Sequence, residues 1–168
     1  NLLDIDAAIM LMEDFKNEPP TFAILKHNNA CGFATRSTIS EAYSAALAGD
    51  PISAFGGILI SNKPIDLQTA TLINSLFCEV VIAPEYESQS LEILKSKKNR
   101  IILKQNPYSF KGDIVRSCLN GQLIQQRDSK VENKSSFTTT TNTSPSENQI
   151  ADLIFANKLV KHTKSNTI

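Results

Sequence analysis

Between Ile5 and Leu103 the chain alternates stretches of helical apolar spacing with short apolar runs bounded by turn residues. Few folds satisfy that order. Ile5, Ala8, Ile9, Met12 and Phe15 mark a first helix, with Asp4 or Asp6 as its N-cap and Asn17 to Pro20 as its stop. Thr21–Leu25 reads as a buried strand. Thr38 and Glu41 form a capping box for a second helix that ends near Gly49. Ile58–Ile60 is the next strand. Pro64 and Asp66 open a third helix with Leu67, Ala70, Ile73 and Phe77 as its core stripe. Glu79 to Ala83 is a strand closed by Pro84. A fourth helix spans about Ser88 to Lys97, and Ile101–Leu103 follows as a strand. The order αβαβαβαβ predicts an α/β sheet covered by helices.

After residue 103 the pattern changes. Ile114 to Leu119 and Gln122 to Ile124 flank Asn120-Gly121, a strong signal for an antiparallel hairpin. Residues 129–143 are rich in Ser, Thr and Asn and read as a mobile polar linker. Ser144, Pro145 and Glu147 then predict a capped helix carrying Ile150, Leu153, Ile154 and Val160. The expected division is therefore 1–128, linker 129–143, and 144–168 as a helix that begins a further segment. The start, Asn1-Leu2-Leu3-Asp4, has no Met and no signal-peptide pattern and enters a helix at once, so the expectation is an internal piece of a longer chain.

Composition narrows the classes of function. Basic and acidic groups balance at 17 each, so no global field points to nucleic acid or a membrane surface. No apolar run is long enough to span a membrane. Cys31, Cys78 and Cys118 are odd in number and far apart, which fits a reducing, cytoplasmic setting better than a disulfide framework.

Chemistry concentrates at Lys26-His27-Asn28-Asn29-Ala30-Cys31-Gly32, directly after the first strand. The carboxyl end of a strand is a usual ligand position in open α/β sheets. Histidine suits proton transfer near neutrality. A lysine beside it can stabilise developing negative charge. The same pair also fits a solvated strand end. Asn28, Asn29 and Gly32 offer donors, acceptors and a flexible backbone. Cys31 has no acidic partner nearby and reads as a packed thiol rather than a nucleophile.

Phe55-Gly56-Gly57 lets backbone approach a ligand but lacks the lysine and spacing of a phosphate loop. A zinc deaminase needs His-x-Glu and Pro-Cys-x-x-Cys. His27 is followed by Asn28 and Asn29, and no Cys-x-x-Cys exists, so that metal chemistry is rejected. Lys95, Lys97, Lys98 and Arg100 read as a solvated helix end rather than an anion site.

Four ordered motifs carry a resemblance. Ile24 to Gly32, Asp50 to Gly57, Phe77 to Pro84 and Lys97 to Arg100 resemble the formyltransferase domain of the bifunctional purine biosynthesis proteins. The tail Phe155-Ala156 to Asn166 resembles a further part of the same domain. The resemblance implies transfer of a formyl group from 10-formyltetrahydrofolate, as co-substrate, to the amine of 5-aminoimidazole-4-carboxamide ribonucleotide (AICAR). It implies an α/β fold of three αβα layers with a mixed sheet, cytidine-deaminase-like but without zinc. It also implies a homodimer with the site at its interface, no required metal, and an IMP cyclohydrolase half lying elsewhere.

By position, the resemblance makes His27 the general base and Lys26 the transition-state stabiliser. It places Gly56 and Glu79 at nucleotide-contacting positions, with Asn166 also in the site; Asn28 and Asn29 join the expected substrate contacts. Two positions depart from the pattern: Ala30 stands where proline is common, and Asn157 where tryptophan is. Because much of the site would lie in other segments and a second subunit, this stretch alone is expected to be inactive. A non-catalytic nucleotide-binding module, or a dimerisation element, is the alternative.

Overall fold

A computed structural model describes the chain except Tyr108, Ser109, Lys111, Ser165, Asn166 and Ile168. The elements in order are α1 (Leu2–Glu13), β1 (Thr21–Lys26), β2 (Asn29–Thr35), α2 (Ile39–Gly49), β3 (Gly57–Ser61), α3 (Leu67–Asn74), β4 (Cys78–Ala83), α4 (Ser88–Lys95), β5 (Ile101–Lys104), β6 (Ile114–Cys118), β7 (Gly121–Gln125) and α5 (Glu147–Val160). They fall into two compact units. The first comprises Asn1–Asn106 with His162–Ile168, and the second Pro107–Lys161.

The first unit is α/β. Its five strands run in the order β2-β1-β3-β4-β5. β1 is antiparallel to both β2 and β3, while β3, β4 and β5 are parallel, so the sheet is mixed. Both faces are covered, as the uninterrupted burial of β1 and β3 requires. Phe22, Ile24, Leu59 and Val81 join Ala42, Tyr43 and Ala46 of α2 and Ala70 and Ile73 of α3 in one apolar cluster. The alternate residues Ala23, Leu25, Ile58 and Ile60 are also buried, and α1, which packs on β1 and β3, buries Ala8, Leu11 and Met12.

Local signals explain several elements. The Thr38/Glu41 capping box forms at α2, and Asp66 caps α3 through the Thr69 N–H at 2.7 Å. Gly32 allows β2 to lie against α2: a Cβ there would sit 2.0 Å from the Ala46 carbonyl oxygen. The Tyr86 hydroxyl reaches the carbonyls of Val81 (3.0 Å) and Leu103 (2.9 Å), tying β4 to β5.

Several expectations need correction. The helix-and-strand alternation omitted β2. The N-cap position of α1 is Asn1, which makes no side-chain cap hydrogen bond, rather than Asp4 or Asp6. α3 stops at Asn74, so Phe77 lies outside it and is 54% exposed. α4 ends at Lys95, two residues early. Arg100 is not a solvated cation: it is buried, and its guanidinium donates to Asn74 Oδ1 (3.0 Å), Leu76 O (3.3 Å) and Leu94 O (3.4 Å). Leu94 O belongs to the last turn of α4, where carbonyls lack helical partners, and Asn74 and Leu76 lie at and just beyond the end of α3.

The second unit holds the β6–β7 hairpin, a 3-10 turn at Lys134–Ser136 and α5. The hairpin turns on Leu119 and Asn120, with Cys118 paired to Gly121, one residue earlier than an Asn-Gly turn would give. This frame sets Val115 opposite Ile124, an apolar cross-strand pair that the other frame would separate. The cap of α5 is Ser146, whose side chain accepts from Gln149 N–H, rather than Ser144. No residue of α5 is fully buried, and Leu153 of the expected stripe is 48% exposed.

Candidate functional site

The Lys26–Gly32 stretch is a hairpin, not a strand end followed by a loop. Lys26 and Asn29 are the last paired residues of β1 and β2, and His27-Asn28 forms the two-residue turn. Both turn residues are left-handed, with φ of +52° and +61°. Such a turn matches strand twist but normally takes Asn-Gly. A non-glycine left-handed residue costs roughly 1–2 kcal/mol, less for asparagine. Because β1 is antiparallel to β3, the turn lies beside the amino ends of β3 and β4, not the carboxyl ends expected for a parallel sheet.

The turn is held by groups distant in sequence. Asp4 Oδ1, on the first turn of α1, accepts from the Asn28 N–H at 2.8 Å. Lys164 Nζ donates to the His27 carbonyl at 2.7 Å, and the Lys164 N–H donates to Asn29 Oδ1 at 3.3 Å. The segment bearing Lys164 is tied to α1 by His162 and Asp14, whose Nε2 and Oδ2 are 2.6 Å apart. His27 is exposed and lines an open cleft with Asn1, Leu2, Leu3, Asp4, Asn28 and Lys164. Asn28 Oδ1 is enclosed, with no hydrogen-bond partner among the described residues.

Lys26 is fixed differently. Its ammonium donates to the Gly56 carbonyl at 2.9 Å. Gly56 has φ of +68°, and a Cβ there would meet Lys26 Nζ at 3.0 Å. Glycine therefore serves both the backbone turn and the approach of the lysine. The Gly56 N–H donates to the Phe77 carbonyl at 2.8 Å. Beside it, the Phe55 and Phe77 rings stand 5.0 Å apart and are 63% and 54% exposed. Glu79 Oε2, at the start of β4, accepts from the Asn1 side-chain amide at 2.6 Å, which links it to the His27 cleft.

Lys26 and Gly56 thus meet directly, His27, Asn28 and Asn29 share one turn, and Glu79 approaches through Asn1. Asn166 lies outside the described residues. Cys31 is the extra residue of a bulge between the Ile24–Gly32 and Leu25–Ala30 pairs, with its thiol donating to Ile24 O at 3.4 Å. Burial, then the nearby Asp50 carboxylate, pushes its pKa up, the opposite of an activated nucleophile. Among the described residues, no three His, Cys, Asp or Glu side chains gather as a metal-ligand set, and no helix is long and apolar enough to cross a membrane.

Asn1, Asp4 and Lys164 are not legible as site residues in the sequence. Asp4 signals only a helix cap there, because its partner lies 24 residues away. Lys164 sits 137 residues from His27 and carries no local signal.

Comparison with known proteins bears on the same residues. The family model for the AICARFT/IMPCHase bienzyme matches residues 1–168. The bifunctional purine biosynthesis protein PurH of Bacteroides thetaiotaomicron is 51% identical over 168 residues, which is all of this chain and 33% of that protein. The PurH proteins of Chlorobium phaeobacteroides and Pelodictyon phaeoclathratiforme are 44% and 45% identical over 169 residues, again across the whole chain and 32% of each. The chain spans about a third of the length of these curated relatives. With a match that runs from its first residue to its last, the chain belongs to the AICARFT/IMPCHase bienzyme family.

Proposed function

We propose that this chain forms part of the formyltransferase of a bifunctional purine biosynthesis enzyme, moving a formyl group from 10-formyltetrahydrofolate to the amine of AICAR. The observation that carries the reading is the hairpin turn: it sets His27 on an open cleft, immediately after a lysine whose ammonium is anchored. The relatives' names point to purine biosynthesis and two activities.

In this reading, the AICAR amine attacks the formyl carbon and forms the new N–C bond. The amine is a poor nucleophile because it is conjugated with the carboxamide. His27 takes its proton as attack proceeds, a contribution of typically 10²–10⁴-fold. The formyl oxygen becomes an oxyanion, which Lys26 stabilises; one N–H on Gly56 leaves two donors on the ammonium. Collapse breaks the bond to the folate nitrogen, which leaves with a proton. Gly56, Glu79, Asn28, Asn29 and Asn166 contact the nucleotide.

The order β2-β1-β3-β4-β5 with one reversed strand supports a cytidine-deaminase-like unit. The exposed Phe55–Phe77 pair beside Lys26 supports a site completed by other segments and by the second subunit of a homodimer. A cytoplasmic protein with three free thiols is consistent with this role.

The test is His27→Ala in the intact protein that carries this chain. Turnover is expected to fall by about 10²-fold or more, with nucleotide affinity little changed. Equal loss of turnover and affinity would favour a nucleotide-binding role instead.

A further inference from the structure

We propose that Asp4, together with Lys164, is a positioning residue for His27: their hydrogen bonds to the turn backbone hold the left-handed conformation that presents the imidazole to the cleft. The inference rests on the reading of His27 as the base.

Two consecutive non-glycine residues at positive φ persist only where the surroundings over-determine them. Here the surroundings are specific. Of the turn's backbone groups, the Asn28 N–H and the His27 carbonyl each have a charged partner from outside the hairpin. The Asp4 carboxylate takes the first at 2.8 Å and the Lys164 ammonium gives to the second at 2.7 Å. Hydrogen bonds of this charge-assisted kind are short and strong. Lys164 adds a backbone donor to Asn29 at the next position. Both partners line the cleft that His27 lines. Were Asp4 present only to complement the dipole of α1, its carboxylate would need no particular aim; instead one oxygen is committed to the turn. If either contact were lost, the turn would relax toward an extended or right-handed backbone. His27 would then swing, since side-chain direction follows the backbone. Small misplacements of a reacting group cost large factors in rate, about 10² for 1 Å.

The experiment measures formyl transfer to AICAR by the intact protein carrying this chain, with Asp4→Ala, Asp4→Asn and Lys164→Ala compared to His27→Ala. Asp4→Ala is expected to lower kcat roughly tenfold or more while KM for the nucleotide stays within about threefold. Lys164→Ala should move in the same direction by a smaller factor. Asp4→Asn keeps an oxygen that can accept from Asn28 N–H, so it should recover most of the loss. Equal impairment of Asp4→Asn and Asp4→Ala would assign Asp4 to the helix dipole and overturn the proposal. Unchanged kcat in Asp4→Ala, with turnover lost in His27→Ala, would overturn the positioning role alone. Full turnover in His27→Ala would overturn the base reading itself. Should Asp4→Ala fail to fold, Lys164→Ala carries the test, and unchanged kcat there overturns the proposal.

Discussion

His27 holds a backbone conformation that suits glycine better than histidine, and this makes a double comparison informative. His27→Gly and His27→Ala both remove the imidazole. The side chain is exposed, so neither leaves a cavity. They differ in the turn. Alanine at φ +52° bears the left-handed penalty, roughly 1–2 kcal/mol. Glycine does not bear it, but its freer unfolded chain returns about 0.4–1 kcal/mol. The net expectation is that the glycine variant holds the hairpin more firmly by about 0.5–1 kcal/mol. Amide hydrogen exchange in the intact protein, read on peptides covering β1 and β2, measures local opening directly. Exchange there should be about 2- to 5-fold slower in His27→Gly than in His27→Ala, since 1.36 kcal/mol corresponds to tenfold. Both variants should lose formyl transfer. A glycine variant that exchanges as fast as the alanine variant, or faster, would refute strain at this turn. A more protected hairpin without activity would mean that stability is given up here for the imidazole.

Tyr43 is 2% exposed, its hydroxyl has no hydrogen-bond partner among the described residues, and burial pushes its pKa up to about 12. The folded state keeps a proton that the unfolded state releases near pH 10, so stability is lost as pH rises from 10 toward 12, by up to about 1.4 kcal/mol per unit. Denaturant titrations of Tyr43→Phe should show this alkaline loss reduced, and a gain of about 1 kcal/mol at neutral pH; an unchanged alkaline slope would count against it. Gly32→Ala should destabilise by about 1–3 kcal/mol, because its Cβ would overlap the Ala46 carbonyl, and a loss below about 0.5 kcal/mol in denaturation would show that β2 shifts freely. Alkylation of the native thiols, followed by mass spectrometry, should modify exposed Cys118 first and buried Cys78 last, burial also raising the Cys78 pKa; prompt labelling of Cys78 would contradict its burial.

Elements whose signals are local were legible in the sequence. The Thr38/Glu41 box, the Asp66 cap and the apolar runs of β1, β3 and β4 each depend on residues within one turn or one strand. The α5 start was ambiguous for a local reason as well: Ser144–Glu147 and Ser146–Gln149 are overlapping capping boxes, and the second one forms. β2 was not legible. Asn29-Ala30-Cys31-Gly32 has little strand propensity, and it is extended because β1 supplies its hydrogen bonds and α2 leaves room only for glycine.

The same division runs through the candidate site. The reactive residue types at Lys26-His27 and the glycines at 56 and 57 are legible from identity and order alone. How they are used depends on strand pairing and packing. Pairing of β1 with β2 made the cluster a left-handed turn, and the reversal of β1 put that turn beside the amino ends of β3 and β4. Packing of α1 and the segment from His162 brought Asp4 and Lys164 onto the turn backbone from 24 and 137 residues away. The physical reason is range. Propensity and capping act over a few residues, whereas backbone strain can be borne only by contacts that folding brings together.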